Sequence, residues 1–285
     1  MIIVKPVGAF GNNLFQYAFA KHLALQRGFE EIELDNKFGG SILVELGLAK
    51  KHAYLSYAYR IVFFHRHLFD KVCSFLFRKL NIGYTLVLGG QTTDLPLKKH
   101  KNIIVHGRFQ SFELWSENAD TIRKEIVEKI TRFADVEFIK KDNRLGIHIR
   151  RGDYFDHPYI HTIGALNFEY YESAIREILY NNQFDEIVIF TDEPNHIDVL
   201  EIQKLFNTSI AEGNMFEDFV EMMNCSHLLI SNSTFSCWAA FLGFSDTPAA
   251  VWAPTPWSVS DQSGTTCIIP TDWNLCESKW HSSSE

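Results

Sequence analysis

"RLGIHIRRGDY", residues 144–154, decides how the chain is read. Leu145, Ile147 and Ile149 alternate with Gly146, His148 and Arg150, the period of a strand with one apolar face and one face carrying imidazole and guanidinium. Arg150 and Arg151 then leave the strand together, with Gly152 and Asp153 directly behind them. Two fixed cations and a carboxylate at a strand end admit two readings. One is an arginine–aspartate ion pair beside a core histidine. The other is an anion site, because the planar guanidinium fork matches two phosphate oxygens, Gly152 lets a ligand approach the backbone, and Asp153 can orient an arginine or act as a base. The tripeptide RGD also invites an adhesion reading, but nothing in the chain points to secretion.

Outward from this strand the alternation is regular. "LNFEYYESAIREILY" (166–180) reads as a helix, "EIVIFTD" (186–192) as a strand and "IDVLEIQKLF" (197–206) as a helix. "TSIAEG" (208–213) is a weak strand, "MFEDFVEMMNC" (215–225) a helix and "HLLISN" (227–232) a strand. "TFSCWAAFLG" (234–243) is a helix ended by Gly243, and "AAVWAP" (249–254) a final strand. Such a rhythm builds a parallel sheet covered by helices on both faces. The N-terminal part begins the same way: strand "MIIVKPV", glycine loop "GAFGNN", helix "LFQYAFAKHLALQRG", strand "EIEL". "NIIVHGRF" (102–109) is a further strand, and "SENADTIRKEIVEKI" (116–130) a helix beginning near Ser116 or Asn118. With 285 residues the chain has room for two α/β domains, here expected over 1–140 and 141–285 with a cleft between them.

A net charge of −8 leaves no basic footprint for nucleic acid, so any anion must be held by a local cationic site. Five cysteines, Cys73, Cys225, Cys237, Cys267 and Cys276, without CxxC spacing argue against a disulfide framework or zinc, and fit a reducing cytoplasm. The N-terminus has no signal-peptide pattern, and no run reaches the ~18 apolar residues of a membrane span. Residues 58–80 mix aromatic and basic side chains, which fits a helix packed in a cleft or a peripheral contact with the inner membrane surface.

Polar residues gather at four strand ends: Gly8–Asn13, His148–Asp153, Thr191–Glu193 and Ser231–Ser236. In open α/β sheets ligands sit outside the carboxyl ends of strands. Ser231, Asn232, Ser233 and Thr234 read equally as N-caps and as an anion site at a helix N-terminus. The glycine loop is neither GxGxxG nor a Walker A sequence. Asp192 with Glu193, and Glu217 with Asp218, read as solvated helix starts or surface faces. No D-x-D triplet occurs, and the twelve histidines show no HExxH, so no metal site is expected.

Several segments resemble the inverting α-1,2-fucosyltransferases of glycosyltransferase family 11. "GAFGNNLFQYAFAKHLA" is similar to that family's GGLGNQxFQYA opening, "HGRFQSFELW" to its GYFQS segment, and "GIHIRRGDY" to its central motif. "LNFEYYESAI", "IFTDE", "EGNMFEDFVEMMNCSHLLISNSTFSCWAAFLG" and "IIPTDW" follow in the family's order, and the match is loosest over 37–100. Two departures stand out: GAFGNN for GGLGNQ, on the acceptor side, and Cys237 in place of a tryptophan, a packing change.

The resemblance implies a GT-B-type α/β fold of two Rossmann-like domains facing across a cleft. It implies GDP-fucose as donor substrate, no cofactor and no metal. The implied donor-binding positions are Gly11, His148, Arg150, Arg151, Asp218, Ser233, Thr234, Phe235 and Ser236. Arg150 is the one tied to the diphosphate and Asp218 the one that contacts guanine. Gly11 and Asn12 belong to a loop closing over the reacting centre, which makes Asn12 a catalytic candidate beside Arg150 and Asp153. The implied acceptor is a terminal galactose on a glycan such as an O-antigen repeat, fucosylated at O2 by a cytoplasmic enzyme. Asp153 is the first candidate for the general base and Asp156 the second, with the leaving phosphate itself as the third. Another GDP-sugar, such as GDP-mannose, a non-catalytic sugar-nucleotide or glycan-binding protein, and a Rossmann-like adaptor are the competing readings.

Overall fold

A computed structural model of the chain describes residues 1–35, 42–51, 84–88, 102–261 and 268–282. The 58–80 stretch, Cys73 and Cys267 lie outside the described residues. The chain divides into two compact units, Met1–Lys129 and Ile130–Glu285.

The first unit holds a parallel sheet of β1 (Ile2–Lys5), β2 (Ile32–Leu34), β3 (Lys50–Lys51), β4 (Tyr84–Leu88) and β5 (Asn102–His106), in the order β3-β2-β1-β5-β4. Helix α1 (Phe10–Arg27) follows β1. It starts four residues before the expected Leu14, so Gly11, Asn12 and Asn13 form its first turn rather than a loop. The N-cap, Ala9, has no side-chain oxygen to offer. Gln16 ties the loop down instead: its amide accepts from the Val7 N–H at 3.1 Å and donates to the Val7 carbonyl at 2.8 Å. Helix α2 (Ala119–Ala134) begins one residue after Asn118, whose side-chain oxygen lies 2.9 Å from His22 Nδ1.

The second unit holds six parallel strands: β6 (Arg144–Ile149), β7 (Glu186–Thr191), β8 (Ser209–Ile210), β9 (His227–Leu229), β10 (Val251–Thr255) and β11 (Asn274–Glu277). Their order is β11-β10-β9-β6-β7-β8. β11 corrects the expectation that "AAVWAP" is the last strand. It is four residues long, lies at the sheet edge and buries little beyond Cys276, so it carries almost no apolar signal. β6 is a central strand with all six residues buried, not a strand with one polar face. Both faces of a parallel sheet are covered by its crossover helices.

Among the described residues, the longer helices that follow its strands are α3 (Phe168–Asn181), α4 (Ile197–Phe206), α5 (Met215–Asn224) and α6 (Thr234–Gly243). Three of them begin at an Asn or Ser cap, of which Ser233 was expected from the sequence. Asn167 accepts from Tyr170 N–H, Asn214 and Glu217 form a capping box, and Ser233 accepts from Phe235 N–H. The core joins Ile147 and Ile149 of β6 to Tyr170, Tyr171, Ile175 and Ile178 of α3, and to Val199 and Ile202 of α4. Cys225, Cys237 and Cys276 are buried free thiols. Among the described residues no helix is long and apolar enough to cross a membrane.

Candidate active site

In the second unit the strand order runs outward from β6 in one direction and from β9 in the other. Loops leaving two adjacent strands at such a reversal splay apart and open a crevice at their carboxyl ends. Arg150–Asp153 leave β6 at that point, and Ser231–Ser233 leave β9 beside them. His148 stitches the two ends, with Nδ1 2.8 Å from Ser231 Oγ. Burial, reinforced by the charges of Arg150 and Arg151, presses the His148 pKa down to about 3, so the imidazole is neutral.

The two arginines have different fates. Arg150 keeps its side chain 32% exposed and is gripped by two carboxylates: Asp192 Oδ2 lies 3.0 Å from Nη1 and Asp153 Oδ1 2.5 Å from Nη2. Its guanidinium also lies 5.4 Å from the centre of the Tyr154 ring, whose hydroxyl donates to the Asn232 carbonyl at 3.2 Å. Burial pushes the Tyr154 phenol up to about 12 despite the nearby Arg150 charge, so the hydroxyl stays a donor. Gly152 has φ +41°, and a Cβ there would stand 2.5 Å from Asp192 Oδ2. Any side chain at this position would force Asp192 away from Arg150.

Arg151 is fully buried. Its Nη2 donates to Asp198 Oδ2 at 2.5 Å, its Nη1 to the Arg150 carbonyl at 2.9 Å, and its backbone N–H to Asp192 Oδ1 at 2.9 Å. This corrects the expectation that both guanidinium groups meet one ligand. Arg151 is buried and committed to Asp198, and its contacts run to the Arg150 carbonyl and to Asp192. Asp192 is exposed, as read, but it also links the two arginines, accepting from the Arg151 N–H and pairing with the Arg150 guanidinium.

At the start of α6, Ser233 caps the Phe235 N–H at 3.3 Å, and Ser236 Oγ donates to the Ser233 carbonyl at 3.2 Å. Ser236 and His148 are buried, so their side chains shape the loop from beneath. Thr234 and Phe235 are partly exposed, and first-turn N–H groups have no acceptor within their own helix. The Asn232 amide donates to the carbonyls of Ile163 and Gly164 at 3.2 and 2.9 Å, pinning this loop to the segment before α3.

Asp218 stands in the first turn of α5, and the neighbouring Phe219 packs edge-on against Phe235, ring centres 5.1 Å apart. Burial raises the Asp218 pKa to about 6, against a backbone hydrogen bond from Gly213 that lowers it. Asp153 and Asp156 are both exposed, at the two ends of one helical turn, with the Asp156 N–H on the Asp153 carbonyl at 3.1 Å.

The first unit repeats the topology at its own reversal, between β1 and β5. Gly11 is buried within α1, while Asn12 is partly exposed and accepts from Gln110 Nε2 at 2.5 Å, joining the loops that follow the two strands. Gly8 has φ +82°, and a Cβ there would collide with the Asn12 amide at 2.4 Å. Among the described residues no group of three or more His, Cys, Asp or Glu side chains could hold a metal ion.

Sequence reasoning missed Gln110, Asp198 and His281. Gln110 sits inside "GRFQS", and its pairing with Asn12 spans 98 residues. Asp198 has the spacing of an ordinary first-turn helix acid, and His281 lies next to a polar tail.

The profile described as Glycosyl transferase family 11 matches residues 1–274. An alpha-1,2-colitosyltransferase of Escherichia coli is 31% identical over 148 residues, 48% of this chain and 49% of that protein. A galactoside alpha-(1,2)-fucosyltransferase 2 of Hylobates lar is 24% identical over 255 residues, 87% of this chain and 70% of that protein. The chain thus spans about half the length, or less, of the first curated relatives it matches. Among solved structures, a mutant of Arabidopsis thaliana FUT1 in complex with GDP superposes with a TM-score of 0.53 at 12% identity, over 85% of this chain and 68% of that one. That likeness bears on architecture, and with the two parallel sheets it makes this an α/β protein of the GT-B type. With the arginine-bearing strand end at the sheet's reversal and a profile match over almost its whole length, the chain belongs to glycosyl transferase family 11.

Proposed function

We propose that the chain transfers L-fucose from GDP-fucose to O2 of a terminal galactose on a glycan, with inversion and without a metal. One observation carries this reading: a half-exposed guanidinium, Arg150, fixed by Asp153 and Asp192 at the carboxyl end of β6 and next to the N-terminus of α6. Breaking the anomeric C–O bond builds negative charge on the β-phosphate while the sugar becomes cationic. Preorganised donors aimed at that phosphate stabilise the charge without reorganising. Arg150 supplies a fork, and the first turn of α6 supplies N–H groups and a dipole. The similarity to a galactoside alpha-(1,2)-fucosyltransferase supports the acceptor and the linkage.

The deciding experiment incubates the purified protein with GDP-fucose and a panel of β-galactosides, with excess EDTA present, and determines the linkage by NMR. An α-1,2-fucosyl galactoside is expected. Turnover that needs a divalent cation would overturn the metal-free scheme, and a different linkage would overturn the acceptor. A second reading, another GDP-sugar as donor, is favoured by the similarity to an alpha-1,2-colitosyltransferase. Competition of GDP-fucose with GDP-mannose and GDP-colitose in the same assay separates the donors.

Inversion requires the acceptor hydroxyl to attack from the face opposite GDP, with a base for its proton. We assign that base to Asp153, whose side chain is 50% exposed while one oxygen holds Arg150. Asp153→Asn keeps a hydrogen-bond acceptor for Arg150 and removes the base. The expected result is a kcat lower by about 10²–10⁴ with GDP affinity retained. Near-normal turnover would leave Asp153 only its hold on Arg150.

Asp218 is assigned to the guanine, whose N1–H and amino group need an ionised acceptor. Its pKa of about 6 in the free protein then sets the pH dependence of donor binding. Binding favours the carboxylate, so it releases a proton below that pKa, and GDP affinity should rise with pH up to about 6 and level off above it. Calorimetric titrations with GDP from pH 5 to 8 check this, and Asp218→Asn should flatten the profile. An equal slope in the variant would move the guanine elsewhere.

A further inference from the structure

We infer that His281 is a positioning residue for Arg150, acting through Asp198 and Arg151 from the opposite end of the domain's chain. The inference rests on the reading of Arg150 as the ligand of the GDP diphosphate.

The C-terminal segment is docked by backbone contacts on the strip before α3. Asn167 N–H donates to the Lys279 carbonyl at 2.9 Å, Trp280 forms an antiparallel bridge with Leu166, and His281 N–H donates to the Ala165 carbonyl at 2.9 Å. The Asn167 amide also donates to the Trp280 carbonyl at 3.3 Å. This docking presents the His281 imidazole to the buried end of α4. Its Nε2 lies 2.6 Å from Asp198 Oδ2, the same oxygen that takes the Arg151 Nη2 at 2.5 Å.

A second imidazole stands close by but cannot do this work. His196 Nδ1 accepts the Asp198 backbone N–H at 3.2 Å, so this nitrogen carries a lone pair toward the site. Its 3.7 Å approach to Asp198 Oδ2 is therefore not a hydrogen bond. Phe155, from the turn that follows the arginines, packs against both rings, 5.2 Å from His196 and 5.1 Å from His281.

The chain of contacts then runs to the site. Burial by itself would raise the Asp198 pKa, but the hydrogen bond from His281 and the charge of Arg151 overcome it and hold the carboxyl below its ordinary value. The ionised carboxylate fixes one arm of Arg151. The other arm of Arg151 holds the Arg150 carbonyl, and its N–H holds Asp192, which grips the Arg150 guanidinium. Rotation of Arg151 would loosen both the backbone and the side chain of the arginine that faces solvent. Arg150 is thus braced by a residue 131 positions later in the sequence.

Two near-isosteric variants separate this from simple packing. His281→Gln keeps an N–H donor near the position of Nε2, whereas His281→Leu keeps the volume against Phe155 and loses the donor. GDP affinity measured by calorimetry should fall about tenfold in the leucine variant, the worth of one lost charge-assisted hydrogen bond, and recover in the glutamine variant. Acceptor KM should be unchanged in both. Should the leucine variant not fold, His281→Asn, too short to reach Asp198, takes its place with the same expectation. Equal GDP affinity in the glutamine and the donor-free variants would overturn the inference. Arg150→Ala is titrated alongside. If it loses GDP affinity while the donor-free His281 variant does not, only the role of His281 falls. If it binds GDP normally, the diphosphate assignment falls and takes the His281 inference with it.

Discussion

Replacing Arg150 with alanine is expected to lower sugar transfer by about 10²–10³ and to weaken GDP binding, the loss typical of one preorganised donor at a developing anion. The size of the effect follows from how the side chain is held. Asp192 and Asp153 fix its fork from two sides, and Gly152 leaves room for Asp192 to do so. A guanidinium held this way pays little ordering entropy when a phosphate arrives. Arg150→Lys retains the charge but loses the fork, so it should recover only part of the loss. Steady-state kinetics with GDP-fucose and titrations with GDP distinguish the two contributions. Wild-type GDP affinity in Arg150→Ala would place the diphosphate elsewhere in the unit.

The stretch "RRGDY" admitted an ion pair or an anion site, and the structure gives the two arginines ion pairs of different kinds. Arg151 makes a buried ion pair and Arg150 an exposed, doubly braced one. Sequence carries no signal for that division, because both side chains leave the same strand end and their partners come from elsewhere. Asp192 lies 41 residues from Arg151, and Asp198 47 residues away. What was legible was periodic or local: the alternation of strands and helices, the cap at Ser233, and the gathering of polar groups at strand ends. What was not legible depends on sheet order. His148 reaches Ser231 only because β6 and β9 are neighbours, and Asn12 reaches Gln110 only because β1 and β5 are. β11 was missed for the related reason that an edge strand needs few apolar residues.

Asp198→Ala is expected to be the most destabilising substitution considered for the second unit. It leaves the Arg151 guanidinium, at 0% exposure, without its counter-charge. Removing one partner of such a buried pair typically costs about 3–5 kcal/mol, and for a unit of this size that lowers the unfolding midpoint by about 6–20 °C. The reverse deletion, Arg151→Met, should cost less. Asp198 then keeps its hydrogen bond from His281, and a carboxyl can take up a proton where a guanidinium cannot give one away. The double variant Arg151→Met with Asp198→Leu removes both charges and should be more stable than Asp198→Ala alone, since apolar replacement of a whole buried pair is often neutral. Thermal unfolding of the three variants checks the order, and a double variant less stable than Asp198→Ala would show that the two charges do not act as a pair. The double variant should nevertheless transfer sugar poorly, because it lacks the Arg151 arm that holds the Arg150 carbonyl. Stability regained without activity would assign the buried pair to the placement of Arg150 rather than to holding the fold together.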